Sequence, residues 1–125
     1  MKLKLLILSA CIFAFNATSV MSHHGRSNYM YDESVALEGK VVNFKWRNPH
    51  SYMEIEVKDA NNETNVWLVE GGTVTRLKRL GWEKDSIKVG DTVAVVGFTD
   101  KNPKKHFMLL GHVELEDGSM LYSSA

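Results

Sequence analysis

Short segments in which apolar and polar residues alternate, separated by turn residues, are the feature that most constrains how this chain folds. In the segment 52–58, the apolar residues Met53, Ile55 and Val57 alternate with charged ones. A period of two is that of a β-strand with one face buried and the other in water. The pattern predicts a mainly β protein whose sheet has an inner and an outer face.

Other segments with strand character follow the same chain order as a known small barrel. Strands are predicted at 35–46, 66–70, 92–98 and 107–115, with a short sixth at 120–122 after the turn at Asp117-Gly118. Thr73 is expected to cap a short helix that runs through Leu80, and Gly81 suits the position after it. The order predicts a small OB-like Greek-key barrel of five to six strands, with one short helix between strands three and four.

Two of the strands carry finer predictions. Gly39 inside the first strand indicates a sharp bend or a bulge, and the change of parity before Phe44 and Trp46 indicates a register shift near Val42-Asn43. In the fifth strand the odd positions are predicted to face the core: Phe107, Leu109, Gly111, Val113 and Leu115.

The first 22 residues have the pattern of a secretory signal. A short basic start precedes an apolar run from Leu5 to Phe15, which is shorter than the roughly 20 residues that span a bilayer. Small residues allow cleavage after Ser22 or after Ser19. We expect a signal peptide over 1–22, an N-terminal arm over 23–34 and one OB-like barrel domain over 35–125. The expected location is the periplasm or the medium, with no stable membrane insertion after signal removal.

An anchored form is the alternative. Leu8-Ser9-Ala10-Cys11 matches a bacterial lipobox, which would make Cys11 a lipidated first residue. The apolar run before Cys11 is short for such a signal and continues past it, so export without an anchor is favoured. Cys11 is the only cysteine, so a mature chain that starts after it has no disulfide and no thiolate ligand.

Charge and motifs exclude several functional classes. Lys2 and Lys4 are two of the 15 basic residues, so removal of the leader leaves 13 against 15 acidic ones. Apart from Lys101 to Lys105 there is no basic run, which argues against a nucleic-acid partner. The sequence has no glycine-rich phosphate loop, no nucleophile elbow and no isolated carboxylate pair for glycoside hydrolysis. No catalytic residues are predicted, and a binding protein is favoured over an enzyme.

Three of the five histidines flank the first predicted strand. His23 and His24 lie where the signal should end, and His50 follows Asn-Pro at the turn after the strand. Cleavage after Ser22 would give His23 a free amine beside its imidazole, and these two groups together can chelate a metal. Adding the His50 imidazole completes a three-nitrogen site that suits Cu(II). The sequence therefore predicts a copper site of His23 and His50 with His24 adjacent, and it favours neither His106 nor His112 as a ligand.

Two residues are predicted to support His50. Alternating strand directions place Glu70, at the end of the third strand, near His50, where a carboxylate can orient an imidazole N–H. Asn48 is expected to cap its own loop. The arm is expected to start at the opposite end of the barrel, from which ten extended residues reach about 33 Å. As alternatives, His50 is a simple turn residue, and Glu70 pairs with an arginine, Arg47 or Arg76.

The tryptophans support a second interpretation. Trp46, Trp67 and Trp82 are capable of lining a surface that stacks on a ligand, as OB barrels often do. Trp46 is the candidate for such a partner surface, and core packing is the alternative use of these side chains. On this interpretation the protein is an interaction module for a peptide, a glycan or a partner protein, and the histidines are structural.

Several motifs together resemble those of a family of short exported bacterial proteins of unknown function. They are Ser22-His23-His24-Gly25, Tyr31-Asp32, Leu37-Glu38-Gly39-Lys40-Val41, Trp46-Arg47-Asn48-Pro49-His50, Trp67-Leu68-Val69-Glu70, Leu80-Gly81-Trp82 and Gly90-Asp91-Thr92-Val93. The resemblance covers nearly the whole expected mature chain. It implies a signal-bearing single domain with a small residue before the His-His pair, which supports cleavage after Ser22. It implies no activity and no catalytic residues.

Overall fold

The computed structural model describes residues 28–123, so the predicted signal peptide, Cys11, His23 and His24 lie outside the described residues. Its elements follow the predicted order. They are β1 (Val35–Lys45), β2 (Tyr52–Lys58), β3 (Thr64–Glu70), α1 (Val74–Arg79), β4 (Thr92–Thr99), β5 (Phe107–Leu115) and β6 (Met120–Tyr122). β1 ends one residue before the predicted Trp46, and β3 begins two residues before the predicted Val66.

The six strands form one sheet in the order β3-β2-β1-β4-β5-β6. All neighbouring pairs in that order are antiparallel. A further parallel pairing of β3 with β5, which sets Glu70 opposite Leu109, closes the first five strands into a barrel. β6 adds a short outer strand next to β5. The predicted OB-like barrel, with one short helix between the third and fourth strands, is confirmed.

β1 must bend to take part in both halves of the barrel. Its pairing with β2 shifts register between Val41 and Asn43, the position where the sequence predicted a shift. At Gly39 the constraint is close approach, since a Cβ there would lie 2.5 Å from the Glu56 carbonyl oxygen. The register shift near Val42 and the close approach at Gly39 are therefore two separate features of β1.

The predicted inward face of β5 is wrong in its first half. Met108 and Leu110 are the buried residues there, whereas Phe107 is 40% exposed. Pairing with β4 passes from His112 directly to Leu110, so Gly111 is an extra residue that reverses the parity. Val113 is buried after the bulge, as predicted.

A single apolar core fills the barrel, and the segment after α1 closes its end. Thr73 caps α1 by accepting a hydrogen bond from Arg76 N at 3.1 Å, and Gly81 adopts a φ of 92° after it, both as predicted. Trp82 is 2% exposed, and its Nε1 donates to the Tyr122 carbonyl oxygen at 2.9 Å. The indole therefore ties β6 to the core.

Candidate functional site

The turn that carries His50 is held to the end of β3 by backbone hydrogen bonds. Ser51 N donates to Gly72 O at 3.0 Å, and Gly71 N donates to Ser51 O at 2.7 Å. Ser51 itself is 2% exposed. Because His50 is the residue directly before this anchor, its position relative to the last residue of β3 is set by the main chain.

Asn48 acts on a different partner from the one predicted. Its side-chain oxygen accepts a hydrogen bond from Val74 N, the first residue of α1, at 2.9 Å. The expectation that Asn48 caps its own loop is therefore wrong, because the tertiary fold brings a free helix N–H within reach of the turn. Asn48 and Ser51 thus join the His50 turn to α1 and to β3 respectively. The Asn48-Pro49 peptide bond within this turn is cis.

His50 lies beside Glu70, as the strand directions predicted. Its Nδ1 is 3.4 Å from Glu70 Oε1, and the two side chains are 43% and 24% exposed. Such a distance suits an ion pair when the imidazole is protonated and is long for a hydrogen bond. A metal role for either residue stays a prediction.

The arginines considered as partners of Glu70 have other contacts. The Arg47 guanidinium lies over the Tyr52 ring, 5.6 Å from its centroid. Arg76 Nε donates to the Ser123 carbonyl oxygen at 3.2 Å. Within residues 28–123, the ion pair of Glu70 is the one with His50, and no arginine nitrogen lies within 4.0 Å of the carboxylate.

Two tyrosines that the sequence analysis did not select adjoin Glu70. Tyr52 is its direct cross-strand partner on β2. Burial raises the pKa of Tyr29 to about 12, with smaller contributions from the charges of Glu70 and Asp100. Burial also raises the pKa of Tyr52, again assisted by Glu70 and opposed by Arg47. Both phenols are therefore protonated at neutral pH. The hairpin register of β2 and β3 was the signal that would have identified Tyr52.

The arm reaches the same end of the barrel as His50, so the prediction of the opposite end is wrong. Met30 N donates to Thr99 O at 3.0 Å, and the Tyr31 ring lies 5.2 Å from that of Phe98. Phe98 pairs with Leu109 on β5, which in turn pairs with Glu70 on β3. The stagger of strands around a closed barrel brings the start of one strand level with the end of another, and counting strand directions misses it.

A cavity of about 660 Å³ opens where these elements meet. Its lining includes the polar side chains of His50, Glu70 and Arg76 and the aromatic rings of Tyr31 and Phe98. Glu70 also lines a neighbouring cavity of about 300 Å³ that includes Asn28 and Tyr29 of the arm. The Glu70 carboxylate thus stands at the border of two adjoining spaces.

The tryptophans are used largely in packing. Trp46 and Trp67 are partly buried against the core, and Trp82 belongs to it. The Trp46 ring lies 6.2 Å from that of Phe44. The remaining two histidines each lie against an aromatic ring, His106 on Trp67 at 5.1 Å and His112 on Tyr122 at 5.3 Å.

Residues 28–123 contain no group of three or more His, Cys, Asp or Glu side chains placed to hold a metal ion. In the same segment, no helix has the length and apolar character that crossing a membrane requires.

Comparison with known families identifies the chain. The sequence profile of the family of unknown function DUF6152 matches residues 12–109, which include β1 to β4, α1 and the His50 turn. The chain belongs to the DUF6152 family. The match confirms that the family is one of unknown function, while export and the individual motifs of this DUF6152 protein stay predictions. Among curated proteins, none matches it.

Proposed function

We propose that this DUF6152 protein is exported and binds Cu(II) through the amine and imidazole of His23 and the imidazole of His50. His24 lies next to the first ligand, and Glu70 orients the His50 ring. The observation that carries the proposal is the pairing of His50 with Glu70, 3.4 Å apart, at the barrel end to which the arm is attached.

The His50–Glu70 contact has the character of a metal ligand and its orienting partner. Glu70 faces Nδ1 of the imidazole, so Nε2 is the ring nitrogen left for a metal. A carboxylate that accepts a hydrogen bond from Nδ1 fixes the tautomer of a ligating histidine and raises its basicity, and the 3.4 Å separation has to shorten by a few tenths of an ångström on metal binding to make that bond. With 43% of its side chain exposed, His50 is also accessible to a ligand from the arm.

Chain length supports a contribution from His23. Asn28 lines the cavity that Glu70 borders, and Tyr31 lines the one shared with His50. His23 is five positions before Asn28 in the sequence, and five extended residues span about 17 Å. Because the arm is attached at the His50 end of the barrel, His23 has a shorter distance to cover to His50 than an arm starting at the opposite end would have.

The ligand set favours copper over harder cations. Three nitrogen donors in a planar arrangement suit Cu(II), which also binds most tightly in the affinity order of the divalent first-row metals. The terminal amine titrates near ~8 and so gives up its proton readily to a competing metal.

The proposal is tested with chains of defined start. Chains that begin at His23 are compared with chains that carry three extra alanines before it, by Cu(II) competition titration and electron paramagnetic resonance. Three are needed because one or two would place His24 or His23 third in the chain, where the amine and backbone nitrogens themselves hold Cu(II). We expect the extension, which removes the amine from His23, to lower Cu(II) affinity by at least about tenfold. His50→Ala should lower it by a similar factor.

His112→Ala is the matched control, since that ring lies against Tyr122 and is not in the proposed set. Equal Cu(II) affinity of the His50→Ala variant and the unaltered chain would refute the pairing. Intact mass of protein recovered from the periplasm tests export, because a start at Val20 or at lipidated Cys11 removes the amine ligand.

A partner-binding face is the second candidate. A groove of about 290 Å³ lies on β1, β2 and β3. Its lining residues are Asn43, Lys45, Arg47, Tyr52, Glu54 and Leu68. Mixed charge and one aromatic ring fit a peptide or a glycan, but the partial burial of Trp46 and Trp67 weakens a platform built on tryptophan. Failure of both copper variants to differ from the unaltered chain would favour this function.

A further inference from the structure

The cavity between β3, β4, β5 and α1 is lined by two residues of opposite charge, Glu70 and Arg76, that do not pair with each other. Glu70 and Arg76 both line it, yet no nitrogen of Arg76 lies within 4.0 Å of the Glu70 carboxylate. The two residues thus give the cavity lining a formally neutral charge that is divided between two positions. A ligand that carries both signs complements such a lining better than a simple anion or cation does.

The guanidinium of Arg76 is anchored through one of its nitrogens, Nε. Its Nε donates to Ser123 O at 3.2 Å, and Ser123 is itself fixed by donation from its N to Gly111 O at 2.8 Å. The terminal N–H groups form a planar fork that matches a carboxylate. Arg76, which lines the cavity and is anchored through Nε, therefore has the chemistry to receive a carboxylate there.

Another part of the cavity lining is apolar. Tyr31 and Phe98 form a tilted ring pair with centroids 5.2 Å apart, and Leu109 lies next to them in the lining. At about 660 Å³ the cavity falls in the size range of small-molecule sites, which extends from about 300 to 1,000 Å³. It combines a few polar groups with an apolar surface, as such sites do.

We infer that this cavity binds a free α-amino acid with an apolar side chain. The carboxylate binds the Arg76 fork, the ammonium group binds Glu70, and the side chain lies against Tyr31, Phe98 and Leu109. Binding requires no metal, since Arg76 and the aromatic wall are outside the proposed copper ligands. Glu70 is shared with the proposed copper site, where it orients His50, so amino-acid binding is measured on metal-free protein and the failure of one proposal is distinguishable from that of the other.

Isothermal titration of EDTA-treated protein with L-phenylalanine and L-leucine tests the inference. Phenylacetate lacks the ammonium group and phenethylamine lacks the carboxylate, so both are expected to bind at least about tenfold more weakly than phenylalanine, as for loss of a charge-assisted hydrogen bond. If either analogue binds as tightly as phenylalanine, or if neither amino acid binds at millimolar concentration, the inference is refuted.

Variants locate the site. Arg76→Gln should weaken phenylalanine binding by about tenfold or more and leave phenethylamine binding unaffected, because phenethylamine has no carboxylate. Glu70→Gln should weaken phenylalanine binding by a similar factor and leave phenylacetate binding unaffected, because phenylacetate has no ammonium group. Arg79→Gln, on the same helix and outside the cavity lining, is the matched control. Because Arg76 is exposed, its substitution leaves the core intact, and circular dichroism verifies the fold. Unchanged phenylalanine affinity in Arg76→Gln would overturn the assignment.

Discussion

The side-chain oxygen of Asn48 accepts a hydrogen bond from Val74 N at 2.9 Å, across 26 positions of sequence. It connects the turn that presents His50 to the helix that presents Arg76. The two candidate sites of the molecule therefore share one anchor.

Asn48→Ala removes this anchor and leaves the first N–H of α1 without its side-chain acceptor. We expect a loss of about 1 kcal/mol in the free energy of unfolding, the typical value for a helix cap of this kind. Urea unfolding followed by tryptophan fluorescence measures it. Asn61→Ala, in the exposed turn between β2 and β3, is the control, and an equal loss in both variants would contradict the role of Asn48.

Gly39→Ala tests the close approach of β1 and β2. The added methyl carbon would lie 2.5 Å from the Glu56 carbonyl oxygen, so the strands must separate locally. We expect destabilisation of about 1–3 kcal/mol, the usual cost of forcing extra volume into a packed site. Thermal unfolding measures this loss, and Glu38→Ala, at the exposed neighbouring position, is the control. If Gly39→Ala has the same melting temperature as the control, the strands separate without cost and the close approach does not matter.

Trp82→Phe separates the two contributions of the indole. Phenylalanine retains an aromatic ring near Phe44, whose centroid is 6.3 Å away, but cannot donate to the Tyr122 carbonyl. We expect faster amide hydrogen exchange in β6 and a loss of about 1–2 kcal/mol. Trp82→Ala should cost about 3–5 kcal/mol because a buried aromatic side chain is removed. Unaltered exchange in β6 of the Trp82→Phe variant would show that the strand does not depend on this hydrogen bond.

Ionisation of Tyr29 is expected to lower the free energy of unfolding at alkaline pH. Its pKa is raised from 10.0 to about 12 in the folded protein, chiefly by burial, so the unfolded chain loses this proton at lower pH than the folded one. The stabilisation is fully present below pH 10 and is lost as the pH rises through about 12. Tyr29→Phe should flatten this part of the pH dependence of unfolding, whereas Tyr31→Phe, at an exposed ring, should not.

Glu70→Gln provides an independent check on the same tyrosine. The charge of Glu70 contributes to the raised pKa of Tyr29, so its removal should lower that pKa. Titration of phenolate absorbance in Glu70→Gln and in Glu63→Gln, an exposed turn residue, compares the two. No difference between them would mean that Glu70 does not act on the Tyr29 phenol.

Local patterns determined the strands because the burial period of a strand is a property of neighbouring residues. The alternation in 52–58 predicted β2 to the residue, and Thr73 predicted the start of α1, which ends at Arg79, one residue before the predicted Leu80. The same principle failed at Gly111, where an extra residue reverses the parity of β5. In β1 the change of parity marked the bulge, whereas residues 107–110 of β5 are apolar at both parities, so that strand's own pattern did not mark the extra residue.

The sequence by itself also predicted that His50 and Glu70 lie together, since alternating strand directions bring the end of β1 to the end of β3. Only the tertiary structure decided where the arm attaches, what Asn48 binds and that Arg76 and Glu70 share a cavity. Each of these depends on the stagger with which five strands close into a barrel, and that stagger is set by the packing of the whole core. Contacts between residues distant in the chain are a result of that closure, whereas the strands and turns exist before it.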